Sequence, residues 1–381
     1  MERVDVNPEL LRWARVRAGL DMQALTSRFP KLESWEMGEA SPTLKQLESF
    51  ARATFVPIGF FFLPAPPVEQ VPIPDFRTLS DAPVRRVSPG LLDTVYLCQQ
   101  RQDWFREYVR WMQEPPRTFV GAARVGDDIV ATAGSMRAAL GFDFDERRRV
   151  TTWEDALRLF IAQADKLGVL VMVSGVVGSN NRRKLNPEEF RGFALADAYA
   201  PHVFVNGSDT KAAQMFTLAH ELAHIWLGQS AISDTTAADV PDHRVEGWCN
   251  EVAAELLVPL EAIRHEYNPN GNVQEEASRL ARRYKVSTLV VLRRIHDAHF
   301  LSTANFWAAY RQELARLLAL PKGAGGDFYR SLGARASKTF ARALVVSTME
   351  GRTSFTEAFR LLGFKKMSTF RELGNSLGVA I

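Results

Sequence analysis

The chain has 381 residues, with 47 Lys and Arg against 44 Asp and Glu, and 46% of its residues are apolar. That length carries two or three domains, each long enough to bury a core, and the ordinary apolar share excludes wholesale disorder. Two cysteines, Cys98 and Cys249, exclude a disulfide framework and a four-cysteine zinc module, and a formal net charge of +3 does not by itself call for a polyanionic partner.

The N-terminus MERVDVNPELL lacks the apolar stretch of a secretory signal, and no run reaches the ~18 apolar residues that span a bilayer. The expectation is a cytoplasmic protein without membrane contact; the oligomeric state is not fixed.

Residues 1–63 read as a compact helical unit. PELLRWARVRAGL spaces Leu10, Leu11, Ala14 and Ala18 as a helix and stops at Gly19. DMQALTSRF starts at Asp21 as N-cap, KLESWEMG closes on Gly38, and Ser41-Pro42 reads as cap and first turn of the next helix. IGFFFL reads as a short buried helix. A Pro-rich connector over 64–88 follows and marks a boundary. From 89 to 320 the pattern predicts a long amphipathic helix in SPGLLDTVYLCQQRQDWFREYVRWMQ and two further helices. The β-branched run VLVMVSGVVG comes next, then two short strands in RGFALADAYAPHVFVNG, for a sheet of about three strands. Two helices, TKAAQMFTLAHELAHIWLG and about 244–257, come after the sheet. Residues 321–381 form a helical extension beyond a break at PKGAGG, with about ten basic residues against four acidic ones; a solvated face is the default reading of that charge. The fold class expected is α+β, mainly helical.

The chemistry concentrates in FTLAHELAHIWLG. His220 and His224, at i and i+4, share one helix face, so both imidazoles reach a single metal, and Glu221 between them reaches a metal's water without ligating the ion. This is the H-E-x-x-H arrangement of zinc peptidases, in which zinc acidifies the water and polarises the scissile carbonyl while the Glu takes the proton. A third ligand is needed. The metzincin continuation would require Gly at 227 and His at 230, where Leu227 and Ser230 stand. In and just before the next helix the candidates are Asp242, His243, Glu246, Glu251 and Glu255. Glu246 is preferred because Asn250 lies one turn on, on the same face, able to hydrogen-bond the outer nitrogen of a ligating His. His202 and His243 are candidate oxyanion stabilisers, though such residues are more often surface groups. His296 and His299 read as part of a half-exposed helix.

The run FVNGSDTKAAQMFTLAHELAHIWLG, followed by VEGWCNEVAAELLVP, resembles the ImmA/IrrE family of bacterial and phage metallopeptidases over roughly residues 150–300. The resemblance implies a minimal gluzincin fold, zinc on His220, His224 and Glu246, and Glu221 as general base. It further implies a protein substrate, of the helix-turn-helix repressor or antitoxin type, whose cleavage turns on a stress-response or mobile-element operon. In that fold an edge strand can hold an extended peptide, and Val203, Phe204, Val205 and Asn206, the strand nearest the motif, are the candidate edge; a plain core strand is the even alternative.

Residues 1–63 resemble an XRE-type helix-turn-helix in LRWARVRAGL, SWEMG and PTLKQLESFA, with the stretch from Leu25 to Glu36 about four residues short. KLESWEMGE sets Glu33, Glu36 and Glu39 against Lys31, so no basic footprint for DNA is present. Operator binding and a docking role both stay open, with composition favouring docking. The rival to an enzyme is a DNA- or partner-binding regulator or toxin–antitoxin component with little turnover. A pure binder would have no need of Glu221.

Overall fold

The computed structural model describes residues 3–69, 71–75, 87–233, 244–319 and 335–379. The chain divides into two compact units, residues 1–72 with 82–93, and residues 73–81 with 94–381.

The first unit is a helical bundle compatible with a helix-turn-helix-like domain: α1 (Pro8–Arg17), α2 (Met22–Thr26), α3 (Leu32–Glu36), α4 (Leu44–Thr54) and a 3₁₀ turn at Ile58–Phe62. Asn7 and Asp21 cap α1 and α2 through their side-chain oxygens. The cap of α4 is Thr43, in a reciprocal box with Gln46, so Ser41-Pro42 precedes the helix instead of starting it. Leu10, Leu11, Leu32, Trp35, Leu47, Phe50 and Phe61 fill the centre, with Phe29 edge-on to Phe50 at 5.5 Å. Phe61 is the buried member of the 3₁₀ turn, while Phe62 is exposed. Glu36 does not face outward. It is 4% exposed and held by a bidentate pair from Arg15 at 2.7 and 2.8 Å.

The second unit contains α5 (Pro89–Trp111), of which residues 94–111 belong here, then α6 (Ile129–Leu140), α7 (Phe144–Arg149) and α8 (Trp153–Leu167). The strands follow as β1 (Leu170–Ser174), β2 (Gly192–Leu195) and β3 (His202–Asn206), then α9 (Lys211–Leu227), β4 (Ala231–Ser233) and α10 (Arg244–Leu257). Beyond these come α11 (Leu260–Glu266), α12 (Val273–Tyr284), α13 (Thr288–Asp297) and α14 (Thr303–Ala319), and then α15 (Lys338–Met349), α16 (Phe355–Leu362) and α17 (Met367–Ser376). The break expected at 321–326 lies outside the described residues.

The sheet is mixed and has four strands, in the order β1-β3-β2-β4. β3 runs parallel to β1 and antiparallel to β2, and β2 is antiparallel to β4. Val203–Asn206 therefore lies in the interior of the sheet, with both sides paired: of the two even expectations it is the core strand and not the peptide-binding edge. Every residue of β1 and β3 is buried, as in strands covered on both faces. One face carries Val171, Val173, Ala194, Val203 and Val205 into a core shared with α6, α8, α9 and α10. Phe193 and Phe204 stack at 5.0 Å on the opposite face. There Gln102 of α5 donates to the Leu195 and Ala200 carbonyls, and Arg101 donates to the Leu361 and Arg335 carbonyls, tying the C-terminal helices to α5. Asp165 of α8 accepts from the Ser337 and Thr339 hydroxyls at the start of α15. No helix among the described residues is long and apolar enough to cross a membrane.

Candidate metal centre

α9 is capped by Thr210, whose hydroxyl accepts from the Ala213 N–H, and ends at Gly228 in the left-handed conformation. Between these stops it presents one face to the sheet and one to α10. His220 and His224, one turn apart, meet Glu246 from the first turn of α10. His220 Nε2 lies 3.1 Å from His224 Nε2 and 3.1 Å from Glu246 Oε2, and His224 Nε2 lies 3.0 Å from Glu246 Oε1. All three side chains are buried, and among the described residues this is the sole cluster of three such groups close enough to share an ion.

The arrangement makes physical sense with a cation in it. His220 Nδ1 donates to Asn250 Oδ1 at 2.9 Å, which leaves the lone pair of Nε2 facing the Glu246 carboxylate. Lone pair against carboxylate in a dry site is repulsive unless a positive charge sits between them. Ligand atoms around a tetrahedral zinc at ~2.0–2.1 Å lie about 3.3 Å apart, close to the separations here. The residues fit a divalent metal.

Glu221 stands beside the cluster and outside it. It is fully buried, and burial first, then the neighbouring Glu246, raise its carboxyl well above the usual range, while the Ser233 hydroxyl pulls the other way. Its position depends on a residue with no side chain. A Cβ at Gly192 would stand 2.6 Å from Thr217 Cγ2, 2.8 Å from the Phe204 carbonyl and 2.9 Å from Glu221 Oε1. Gly192 of β2, the register partner of Ser233 of β4, thus forms the floor under Glu221. Neither was found by sequence reasoning. A glycine opening a strand does hint at close approach of another group, but what approaches depends on the packing of α9.

The other expected residues fall elsewhere. Glu251 is exposed on α10, and Glu255 is buried in an ion pair with Arg294 of α13. His202 is on β3, where strand alternation sends it to the face opposite Val203 and α9, in a stack with Phe193. It cannot serve the oxyanion role expected of it. Burial and the nearby Arg101 lower its pKa to about 3. Asn206 spends its amide on the Phe190 carbonyl and the Ser208 N–H, in a structural role. Asp242 and His243 lie outside the described residues. His296 is partly buried in the last turn of α13, and His299 follows it, exposed and with φ at 66°.

Residues 164–296 match the family model for M78 peptidases, described as the IrrE N-terminal-like domain. Residues 336–376, which hold α15 to α17, match a domain of unknown function, DUF8813. A comparison with curated proteins finds no match.

Proposed function

We propose, from the match of residues 164–296 to the M78 peptidase model of the ImmA/IrrE type, that the chain is a zinc-dependent endopeptidase acting on a regulatory protein. The observation that carries this is the convergence of His220, His224 and Glu246 to 3.0–3.1 Å with Glu221 alongside. Zinc held by those three residues would acidify a water and polarise the scissile carbonyl. Glu221 would accept the proton of the attacking water and pass it to the leaving amine, its carboxylate held in place over Gly192. Asn250 fixes the His220 ring so that Nε2 points to the ion. The substrate is a repressor or antitoxin with a helix-turn-helix, whose loss derepresses a stress-response or mobile-element operon, and the setting is the cytoplasm. Co-expression with the repressor of the neighbouring operon, followed by mass spectrometry, tests this. The reading requires one discrete new terminus that is absent with Glu221→Gln; an intact repressor in both cases would refute it.

Residues 1–63 would serve as a docking unit for the substrate or another partner. The exposed carboxylates of Glu33 and Glu39, and an α3 of five residues, support docking over groove reading, although Glu36 is buried against Arg15 and adds nothing to that repulsion. A gel shift of the full chain on its own promoter is the check. Sub-micromolar, sequence-selective binding that weakens steeply with salt would restore a DNA-binding role.

A further inference from the structure

The sheet has two edges, and one of them adjoins Glu221. The carboxylate stands over Gly192 of β2, whose register partner on the outer strand β4 is Ser233. The other edge, β1, is separated from β2 by β3. The outer rim of β4 is thus the edge beside the site. An extended peptide added to it would have the scissile bond nearest the ligands, since main-chain hydrogen bonds to an edge strand fix the path of a peptide.

That rim is already in use. The Ile232 N–H donates to the Pro74 carbonyl at 3.0 Å, and Asp75 stands opposite Ile232 in a parallel bridge. Residues 73–75 belong to the same compact unit as the sheet, although they are continuous in sequence with the helical bundle. Their chemistry suits temporary occupancy. Pro72 and Pro74 have no N–H, so the segment offers carbonyls to β4 but cannot extend a regular ladder, and proline holds it extended beforehand. Among the described residues the pairing with β4 is the bridge of Asp75 to Ile232.

We propose that the outer edge of β4 is the peptide-binding edge of the peptidase site, and that residues 73–75 are its resident occupant, a strap that an extended segment of the substrate displaces. This rests on the endopeptidase reading, and the strap makes the resting enzyme self-limiting. An internal copy competes at the high effective concentration of a tethered segment, so weakening it raises the affinity for a free peptide without any new contact.

The test uses the full-length protein carrying Glu221→Gln, with and without the strap substitutions I73G/P74S/D75G. The probe is a fluorescein-labelled peptide of sequence VEQVPIPDF, residues 68–76. The strap variant is expected to bind the peptide about tenfold more tightly, as removal of a tethered competitor requires. Hydrogen exchange at the Ile232 amide should speed up in the same variant, with the Phe204 amide in the middle of the sheet unchanged. Equal peptide affinity, or an unchanged Ile232 amide, would overturn the strap. With Glu221 intact, casein hydrolysis separates the two claims. The binding gain in a protein that never hydrolyses would keep the strap and reject the peptidase reading. Hydrolysis with no binding gain would do the reverse.

Discussion

At the scale of single residues, Gly192 and His202 show how backbone position decides chemistry. The space above Gly192 is filled by Glu221 Oε1, so Gly192→Ala pushes the carboxylate or the β2 backbone by several tenths of an ångström. Such overpacking typically costs about 1–3 kcal/mol. Because the three ligands come from α9 and α10, the expected outcome is retained metal with hydrolysis down at least tenfold, read by metal analysis beside a turnover assay. Full activity in Gly192→Ala would mean that Glu221 does not need this position. His202 makes a different prediction. Its folded pKa is lowered to about 3 by burial and Arg101, so the unfolded chain takes up a proton near pH 6.5 that the folded chain refuses. Stability from this group is present above pH 6.5 and is lost as pH falls toward 3, by up to about 1.4 kcal/mol per unit. His202→Phe keeps a ring against Phe193 and removes the titration. Between pH 6.5 and 5 the variant should lose about 2 kcal/mol less stability than the parent in urea melts. Parallel losses would show that His202 is not buried in neutral form.

At the scale of elements, the site is a pairing of two helices. α10 sets Glu246 and Asn250 one turn apart on the face that meets α9, and sends Glu255 to Arg294 and Glu251 to solvent. Glu246→Gln should therefore release metal, while Glu251→Gln keeps it. Asn250→Ala should lose about 10–100-fold in metal affinity, because the His220 ring is no longer held. Titration with a zinc indicator reads all three, and release by Glu251→Gln would sink the face assignment. Glu255→Gln is a poor control, since breaking a buried ion pair costs about 3–5 kcal/mol and would unfold the neighbourhood. This pairing was legible in the sequence because helical periodicity is local: i and i+4 name a face without knowledge of the fold. What the sheet does was less legible. β4 is three residues long, too short for alternation to register, and strand order is a non-local property that no window reports. Nearness to the motif in sequence leaves Val203–Asn206 evenly placed between edge and core strand, whereas the apolar run Val203–Val205 fits an interior strand better. The same lack of a known face put His202 near the site, although one residue of strand register separates the two sides of the sheet.

At the scale of the molecule, one domain carries the candidate metal site, and the bundle and the C-terminal helices each have their own internal ties. The bundle of residues 3–63 is stabilised from within by Arg15–Glu36 and an aromatic cluster, and the C-terminal helices are anchored to α5 through Arg101. The central claim is that the His220, His224 and Glu246 cluster is a zinc site and Glu221 is its proton acceptor. The measurement that tests it most directly is metal content and peptide hydrolysis, determined together for the parent protein and Glu221→Gln. One zinc per chain is expected in both proteins, with hydrolysis in the parent alone. Loss of zinc in Glu221→Gln, or hydrolysis that survives the substitution, would contradict it.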